Sequence, residues 1–180
     1  YLPKLADGSA IFTYAFTEPS GRWDAGGVQM AATAAGSDIV INGTKLFVPD
    51  ANVADYILTA VQLPGGGMGA AVVARSAVEV TVLKTIASDK QAEVVYKDVK
   101  VASADVMAIS AEAGRIIRNQ ATALECAYLV GLAQKDFEIS VNYAKERVQF
   151  GRPIGSFQAI QHKAADMVTD VDGMRFIMYK

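Results

Sequence analysis

The stretch RVQFGRPIGSFQ, residues 147–158, joins two long helical patterns and decides how the second half of the chain is organised. Arg147 is predicted to close the first helix, and Gly151 and Pro153 are predicted to end it and turn the chain. Ser156 stands where an N-cap residue is expected, so we predict that a second helix opens there. The pattern therefore predicts two helices joined by a tight turn.

The same stretch carries groups that suit an anion. The predicted second helix has Phe157 and Gln158 in its first turn, and Arg147 lies just before the turn. A guanidinium and the free backbone N–H groups of a helix N-terminus can together hold a phosphate group. A solvated arginine beside a helical turn is the plainer interpretation, and for a lone arginine it is the commoner one.

Composition limits the classes of protein to consider. The chain has 180 residues, of which 52% are hydrophobic and 20% charged, and its net charge is −2. It can bury a large core, and no basic clustering suggests a nucleic-acid partner. No apolar run approaches the roughly 20 residues of a membrane span. The residues from Tyr1 to Leu5 lack a signal-peptide pattern.

The single cysteine and the single histidine exclude two kinds of site. Cys126 has no partner for an internal disulfide, which fits a reducing compartment, and its apolar surroundings predict a buried, inert thiol. His162 is alone, so a metal site built on a histidine cluster is excluded.

The first half of the chain has the alternation of β-strands. The Asn42-Gly43 pair lies between two short apolar runs, which predicts a two-residue hairpin turn. The glycine run after Pro64 has no following Lys-Ser/Thr, so it is interpreted as a hairpin loop and not as a phosphate loop. About six to eight short strands are typical of a sandwich or barrel. The predicted strands cover residues 9–17, 38–41, 45–48, 55–62, 70–75, 78–84 and 92–101.

The pattern changes near Asp105. The run from Ala111 to Arg147 contains no proline and predicts a helix roughly 55 Å long at 1.5 Å per residue. It is apolar on nearly every side, so we expect it to be buried among other helices. Glu125, the sole charge between Gln120 and Gln134, is interpreted as a buried carboxylate with a partner.

Only one further helix, from Ser156 to Lys180, is predicted, and two helices are too few to cover such a surface. We therefore predict an α+β chain with an antiparallel, sandwich-like or barrel-like β-domain over residues 1–105. Residues 106–180 are predicted to form the first part of a helical-bundle domain with long antiparallel helices.

Three separated blocks resemble the acyl-CoA dehydrogenase family. Tyr14-Ala15-Phe16-Thr17-Glu18-Pro19 is similar to the family's aromatic-x-x-Thr-Glu-Pro segment. Ile41-Asn42-Gly43-Thr44-Lys45-Leu46-Phe47 is similar to its I-N-G-x-K-x-W block. The run R-x-x-F-G-x-P-I-x-x-F-Q-x-x-Q, from Arg147 to Gln161, resembles its helical signature. The resemblance implies the middle β-domain and the beginning of the C-terminal helical domain of such a protein.

The resemblance implies an FAD-dependent enzyme that removes hydrogens from Cα and Cβ of an acyl-CoA thioester. It implies that the Thr-Glu-Pro segment and the hairpin that carries the family's tryptophan, here Phe47, line the flavin ring. It also implies that the helical signature reaches the FAD pyrophosphate of a neighbouring subunit. The cofactor-binding residues implied in this way are Tyr14, Phe16, Thr17, Phe47, Pro49, Arg147, Phe150, Phe157 and Gln158.

The chain departs from the family pattern in ways that bear on function. Trp23 stands where a small serine usually meets the thioester end of the substrate, so we expect it to contact substrate and reshape the acyl pocket. Pro49 has neither a hydroxyl nor an N–H group to offer the flavin. Thr122 and Ala121 occupy the helix positions where relatives carry an arginine or a catalytic base, so no catalytic carboxylate is assigned in this segment.

Three functions remain open from the sequence. The first is an active acyl-CoA dehydrogenase that passes electrons to an electron-transfer flavoprotein or a similar acceptor. The second is a non-catalytic subunit that completes a partner's flavin site. The third is an oxidase or monooxygenase on the same scaffold. We expect a homo-oligomer, as a dimer of dimers, with no nucleic acid and no membrane span. A bacterial cytoplasm is favoured over a mitochondrial matrix.

Overall fold

The computed structural model describes residues 1–180, which divide into two compact units, Tyr1–Gly114 and Arg115–Lys180. A five-residue helix, α1 (Leu2–Ala6), opens the first unit. Eight strands follow it in the first unit. They are β1 (Phe12–Ala15), β2 (Ala32–Ala35), β3 (Asp38–Pro49), β4 (Tyr56–Gln62), β5 (Met68–Ala74), β6 (Glu79–Val82), β7 (Gln91–Ala102) and β8 (Val106–Ala108).

The strands form two four-stranded sheets. One has the order β1-β4-β5-β8 and the other the order β2-β3-β7-β6. All neighbouring pairs are antiparallel except β1 and β4, which run parallel. The prediction of an antiparallel β-domain with about six to eight strands is confirmed, and the architecture is an open sandwich and not a closed barrel.

One apolar core holds both sheets. Alternate residues of each strand point inward, as the pleat requires. The second sheet contributes Ile41, Val94 and Tyr96, and the first contributes Ile57 and Val73, all at most 2% exposed. The Tyr96 hydroxyl is hydrogen-bonded to Thr59 Oγ1 at 2.8 Å, which gives this buried polar group a partner from the opposite sheet.

The predicted hairpin at Asn42-Gly43 is wrong. β3 runs without a turn from Asp38 to Pro49, and its pairing with β7 shifts register between Ile41 and Gly43. The Asn42 side chain explains this, because its Nδ2 donates to Asp98 Oδ1 at 3.0 Å and its Oδ1 accepts from Asp98 N at 2.8 Å. The Asn-Gly pair therefore forms a β-bulge, with Gly43 at φ 145°.

The turn that connects β2 and β3 was not predicted. β2 pairs with β3 from Ala32↔Ile41 to Ala35↔Asp38, and Gly36 at φ 67° lies in the two-residue connection. By contrast, the hairpin across residues 64–67 is confirmed. Its strands β4 and β5 pair from Tyr56↔Ala74 to Gln62↔Met68.

The second unit contains two long helices, α2 (Ala111–Glu146) and α3 (Gln158–Tyr179), of which α2 begins before the division between the units. Arg175 Nη2 donates to Gln134 Oε1 at 2.7 Å. Nearer the turn, a Cβ built on Gly155 would lie 3.0 Å from the carbonyl oxygen of Ala144. These two contacts place the helices antiparallel, as predicted, and the predicted helix from Ala111 is confirmed as α2.

The connection between the helices differs from the predicted turn. It contains a two-stranded hairpin, β9 (Val148–Gln149) and β10 (Arg152–Pro153), followed by a 3₁₀ turn over Ile154–Ser156. Ser156 is not the N-cap: its hydroxyl donates to the Pro153 carbonyl at 2.7 Å, and α3 begins at Gln158 after Phe157. The Ser156 hydroxyl, which we predicted to cap α3, therefore forms its hydrogen bond within the 3₁₀ turn instead.

Most of α2 is exposed in this chain. Only Val130 and Ala144 are buried, and neither Glu125 nor Cys126 is, contrary to the sequence expectation for both. The physical reason is that no element of the chain covers these faces. No helix combines the length and the apolar character that crossing a membrane requires. Large side chains of α2 that remain exposed include Leu124, Tyr128, Leu132, Ile139 and Tyr143.

Candidate flavin and acyl-CoA site

The β-unit brings Thr17 next to the strand that carries Phe47. Leu46 N donates to the Thr17 carbonyl at 2.8 Å, although the two residues are 29 positions apart. Phe47 lies within a second register shift of β3, between Lys45 and Val48, and has φ 55°. This bulge turns the ring outward, so that Phe47 is 51% exposed at the edge next to the buried Thr17.

The other two aromatic residues of the first block are placed differently. Tyr14 is 61% exposed and belongs to β1, whose inward positions are Thr13 and Ala15. Phe16 is half-buried and lies just beyond the end of β1. Tyr14 lines an apolar groove of about 590 Å³ on the β-unit, together with Leu5, Phe12, Leu58, Val72 and Met107.

Pro49 lies at the last position of β3. Its carbonyl oxygen accepts a hydrogen bond from Thr13 Oγ1, and Asp50 follows with φ 47°. Since proline has no N–H, Pro49 offers no backbone hydrogen-bond donor at this end of the strand.

Trp23 lies at the tip of the loop between β1 and β2. It is 72% exposed, and its neighbours Arg22 and Asp24 form an ion pair at 2.8 Å. Gly27 closes the loop tightly, because a Cβ there would lie 2.6 Å from Arg22 Cβ and 2.9 Å from the Arg22 carbonyl oxygen. Because most of its surface is exposed, the Trp23 indole can contact a ligand.

A buried ion pair that sequence reasoning missed organises this loop. Lys45 Nζ lies 2.8 Å from Glu18 Oε1, and the two side chains are 0% and 9% exposed. Lys45 Nζ also donates to the Phe16 carbonyl at 3.1 Å. The Glu18 carboxylate accepts further hydrogen bonds, each 3.0 Å long, from the backbone N–H groups of Gln29 and Met30. Lys45 is fully buried while its strand neighbours Thr44 and Leu46 are only partly buried, and no pattern in the sequence pointed to this pair.

The pKa of Glu18 reflects these contacts. Burial acts to raise it, but the hydrogen bond from Lys45, the two backbone amides and the Lys45 charge together outweigh burial and lower the pKa below its ordinary value of 4.5. The carboxylate is therefore ionised at neutral pH, and it compensates the charge of Lys45.

The second unit places the remaining predicted residues around its hairpin. Phe150 and Gly151 form the tip, with φ 53° and 79°, and Phe150 is 91% exposed. Phe150 meets Phe157 edge to face, with ring centroids 6.1 Å apart. The Arg152 guanidinium, which was not predicted to contribute, lies 4.2 Å from the centre of the Phe157 ring.

Arg147 and Gln158 flank this aromatic group along the chain. Arg147 is exposed, and its backbone is fixed by hydrogen bonds to Tyr143 O and from Ile154 N, both 2.8 Å long. Gln158 is exposed at the first position of α3. The unit thus carries Arg147, the exposed Phe150 and Gln158, and the N-terminus of α3 on one short segment.

Comparison with known proteins identifies the family. The family model for the acyl-CoA dehydrogenase middle domain matches residues 13–99, and the model for the acyl-CoA dehydrogenase C-terminal domain matches residues 119–180. The chain therefore belongs to the acyl-CoA dehydrogenase family, and the resemblance found in the sequence is confirmed.

Individual relatives agree with this assignment. The probable acyl-CoA dehydrogenase YngJ of Bacillus subtilis is 34% identical over 100% of this chain and 51% of its own length. Acryloyl-CoA reductase (NADH) of Anaerotignum propionicum is 30% identical over 99% of this chain and 49% of its own length. A glutaryl-CoA dehydrogenase from Mycobacterium smegmatis, solved in complex with FADH2, shares the fold with a TM-score of 0.90 at 24% identity, over 99% of this chain and 48% of that one. The chain spans about half the length of these proteins.

Proposed function

We propose that this chain is the flavin-facing part of an FAD-dependent acyl-CoA dehydrogenase. The enzyme would convert an acyl-CoA thioester to the enoyl-CoA and pass the electrons to an external acceptor. The observation that carries the proposal is the hydrogen bond from Leu46 N to Thr17 O. It holds the exposed Phe47 ring beside Thr17, at one edge of the sandwich, where a flat aromatic cofactor can stack.

The residues present fit FAD in two separate places. In the β-unit, Phe47, Thr17, Tyr14, Phe16 and the ring of Pro49 would lie against the flavin. In the helical unit, Arg147, Phe150, Phe157 and Gln158 would hold the pyrophosphate and adenosine part of an FAD bound to a neighbouring subunit. Bound FAD would supply the hydride acceptor for the reaction.

The chain's own contribution to the chemistry is binding and exclusion of water. Trp23, exposed at the loop tip, would contact the thioester end of the substrate and narrow the acyl pocket. The general base that removes the α-proton would come from outside this segment, since Thr122 and Ala121 carry no acid. An electron-transfer flavoprotein would serve as acceptor, and a bacterial cytoplasm as the location.

A non-catalytic role is the second candidate, and one observation favours it. Pro49 lacks an N–H group, and its carbonyl already accepts from Thr13. A strand end that offers no donor to the flavin suits a subunit that completes the flavin site of a different, catalytic partner. The same chain would then bind FAD through Arg147 and Phe157 without turning over substrate of its own.

One assay separates these functions. The full-length polypeptide is purified, its flavin absorbance per chain is measured, and bleaching of the flavin by acyl-CoAs of different chain length is followed under anaerobic conditions. A dehydrogenase is expected to carry one FAD and to be reduced by at least one saturated acyl-CoA. Flavin that no acyl-CoA reduces would favour the non-catalytic subunit, and a polypeptide that neither retains nor binds FAD would contradict the dehydrogenase.

Assembly is a further expected property of the intact protein. The exposed apolar side chains of α2, such as Leu124 and Leu132, need partners that this chain does not supply. We expect a homo-oligomer with closed symmetry, as a dimer of dimers. Sedimentation or light scattering of the full-length protein measures this directly. A stable monomer at micromolar concentration would contradict it.

A further inference from the structure

The Glu18 side chain joins the two ends of the loop between β1 and β2. Glu18 stands at its beginning, and the Glu18 carboxylate accepts the backbone N–H groups of Gln29 and Met30 at its end. The exposed residues between these anchors include Trp23. The Glu18 carboxylate therefore links the two ends of the segment that is proposed to meet the substrate, and Gln62 of β4 holds the second end through hydrogen bonds to Val28 O and Met30 O.

Lys45 connects this closure to the proposed flavin edge. Its Nζ bonds Glu18 Oε1 and the Phe16 carbonyl, while the next residue along β3, Leu46, donates its N–H to Thr17 O. Thr17 lies directly before Glu18, and Phe47 lies two residues after Lys45. The pair thus joins the strand that bears Phe47 to the segment that bears Thr17 and to both ends of the Trp23 loop.

The backbone groups around the pair are donors beside Glu18 and an acceptor beside Lys45. Gln29 and Met30 present N–H donors, which need an acceptor such as Glu18. Phe16 presents a carbonyl, which needs a donor such as Lys45. A plain ion pair would work in either orientation, but this arrangement satisfies the backbone only when the carboxylate is at position 18 and the ammonium at position 45.

We propose that Glu18 and Lys45 are positioning residues that hold the Trp23 loop and the Thr17–Phe47 edge in register, and thereby set the affinity for acyl-CoA. That the pair holds the loop follows from contacts within the β-unit and does not depend on the proposed function. The effect on acyl-CoA rests on the function proposed above.

The test compares three double variants of the intact protein. Glu18→Gln with Lys45→Met removes both charges but keeps an acceptor for the Gln29 and Met30 amides. Glu18→Lys with Lys45→Glu keeps an ion pair and reverses its orientation. Glu79→Gln with Lys97→Met is the matched control, because it makes the same neutral exchange at an exposed ion pair between β6 and β7.

Loop order is measured by amide hydrogen exchange of residues 19–30 and by acrylamide quenching of Trp23, with the fluorescence of the matching Trp23→Phe variant subtracted. Exchange in β4 and β5 reports on the fold of the unit. In the neutral variant the amide oxygen accepts the Gln29 and Met30 N–H groups more weakly than the carboxylate does, and the Phe16 carbonyl loses the Lys45 donor. We therefore expect exchange of residues 19–30 to rise about tenfold while β4 and β5 change less than twofold. We also expect KM for acyl-CoA to rise about tenfold, with a smaller change in kcat. The control should match the wild type in every measurement.

The reversed pair gives the sharpest result. If the pair acts through the backbone groups, reversal loosens the loop at least as much as neutralisation does. Wild-type loop protection in the reversed variant would overturn the proposal, because a plain ion pair would then suffice. Should the reversed variant fail to fold, the neutral variant decides: unchanged loop protection overturns the proposal. If the loop loosens as expected but the wild-type protein binds no flavin or acyl-CoA, the loop closure stands, and the role toward acyl-CoA is overturned together with the proposed function.

Discussion

Arg147→Ala in the intact protein is expected to weaken FAD retention roughly tenfold to a hundredfold. Arg147 is exposed, its backbone is fixed at both sides, and its guanidinium pairs with no carboxylate of this chain. Charge-assisted hydrogen bonds to a phosphate contribute about 1.5–3 kcal/mol each, and about 1.4 kcal/mol corresponds to a factor of ten in affinity. A solvated arginine at a helix end would contribute far less, so its removal would be nearly silent.

The measurement is flavin absorbance per polypeptide after gel filtration, followed by titration of the apoprotein with FAD. Arg147→Lys should restore only part of the affinity, because lysine offers a point charge where arginine offers a planar fork. Lys145→Ala is the matched control, since it removes a positive charge from the last turn of the same helix. Full flavin content and unchanged affinity in the Arg147→Ala variant would show that the hairpin segment does not hold the cofactor.

Lys45→Met is expected to cost the β-unit about 3–5 kcal/mol of unfolding free energy at neutral pH, because it leaves the buried Glu18 carboxylate without its cation. The wild-type pair behaves differently with pH. The pKa of Glu18 is lowered on folding, so the stability that its ionised form contributes is fully present above its ordinary pKa of 4.5 and is lost as pH falls below it. In the variant, burial is no longer offset by the ammonium, so the pKa of Glu18 should rise and protonation should relieve the penalty.

The deficit of the Lys45→Met variant should therefore shrink as the pH is lowered from 7 toward 4. Urea unfolding at several pH values measures it, with hydrogen exchange of β4 and β5 assigning the transition to the β-unit. Lys97→Met, at an ion pair whose side chains are more than half exposed, should stay close to the wild type at every pH. A deficit in Lys45→Met that is absent at pH 7, or that grows as the pH falls, would show that the pair is not a buried charge pair in solution.

The sequence pattern identified Arg147, whereas only the structure identified the pair of Glu18 and Lys45. Arg147 was identified from a sequence pattern alone, and the structure added the fixed backbone and the exposed hairpin around it. Glu18 and Lys45 both lie inside quoted sequence blocks, yet neither was assigned a role. The two residues are 27 positions apart in the chain, and in the sequence each looks like an ordinary surface charge.

Elements built from local patterns were determined by the sequence itself. The β4–β5 hairpin follows from two apolar runs around residues 64–67, where Gly65, Gly66 and Gly67 all adopt positive φ. The helix α2 follows from a long run without proline that is apolar on nearly every side. The family pattern in the sequence also singled out Thr17 and Phe47 in the β-unit, and Arg147 and Phe157 in the helical unit, as candidate cofactor-binding residues.

Only the tertiary structure decided the features that depend on distant partners. Asn42-Gly43 has the chemistry of a tight turn, but Asp98, 56 residues away, satisfies both ends of the Asn42 amide, and a bulge is the result. Lys45 is buried because Glu18 and the Phe16 carbonyl meet it inside the sandwich, at a position where local alternation predicts nothing about charge. Turn and helix signals act over a few residues, whereas these outcomes depend on hydrogen bonds between segments that only the folded chain brings within 3 Å of each other.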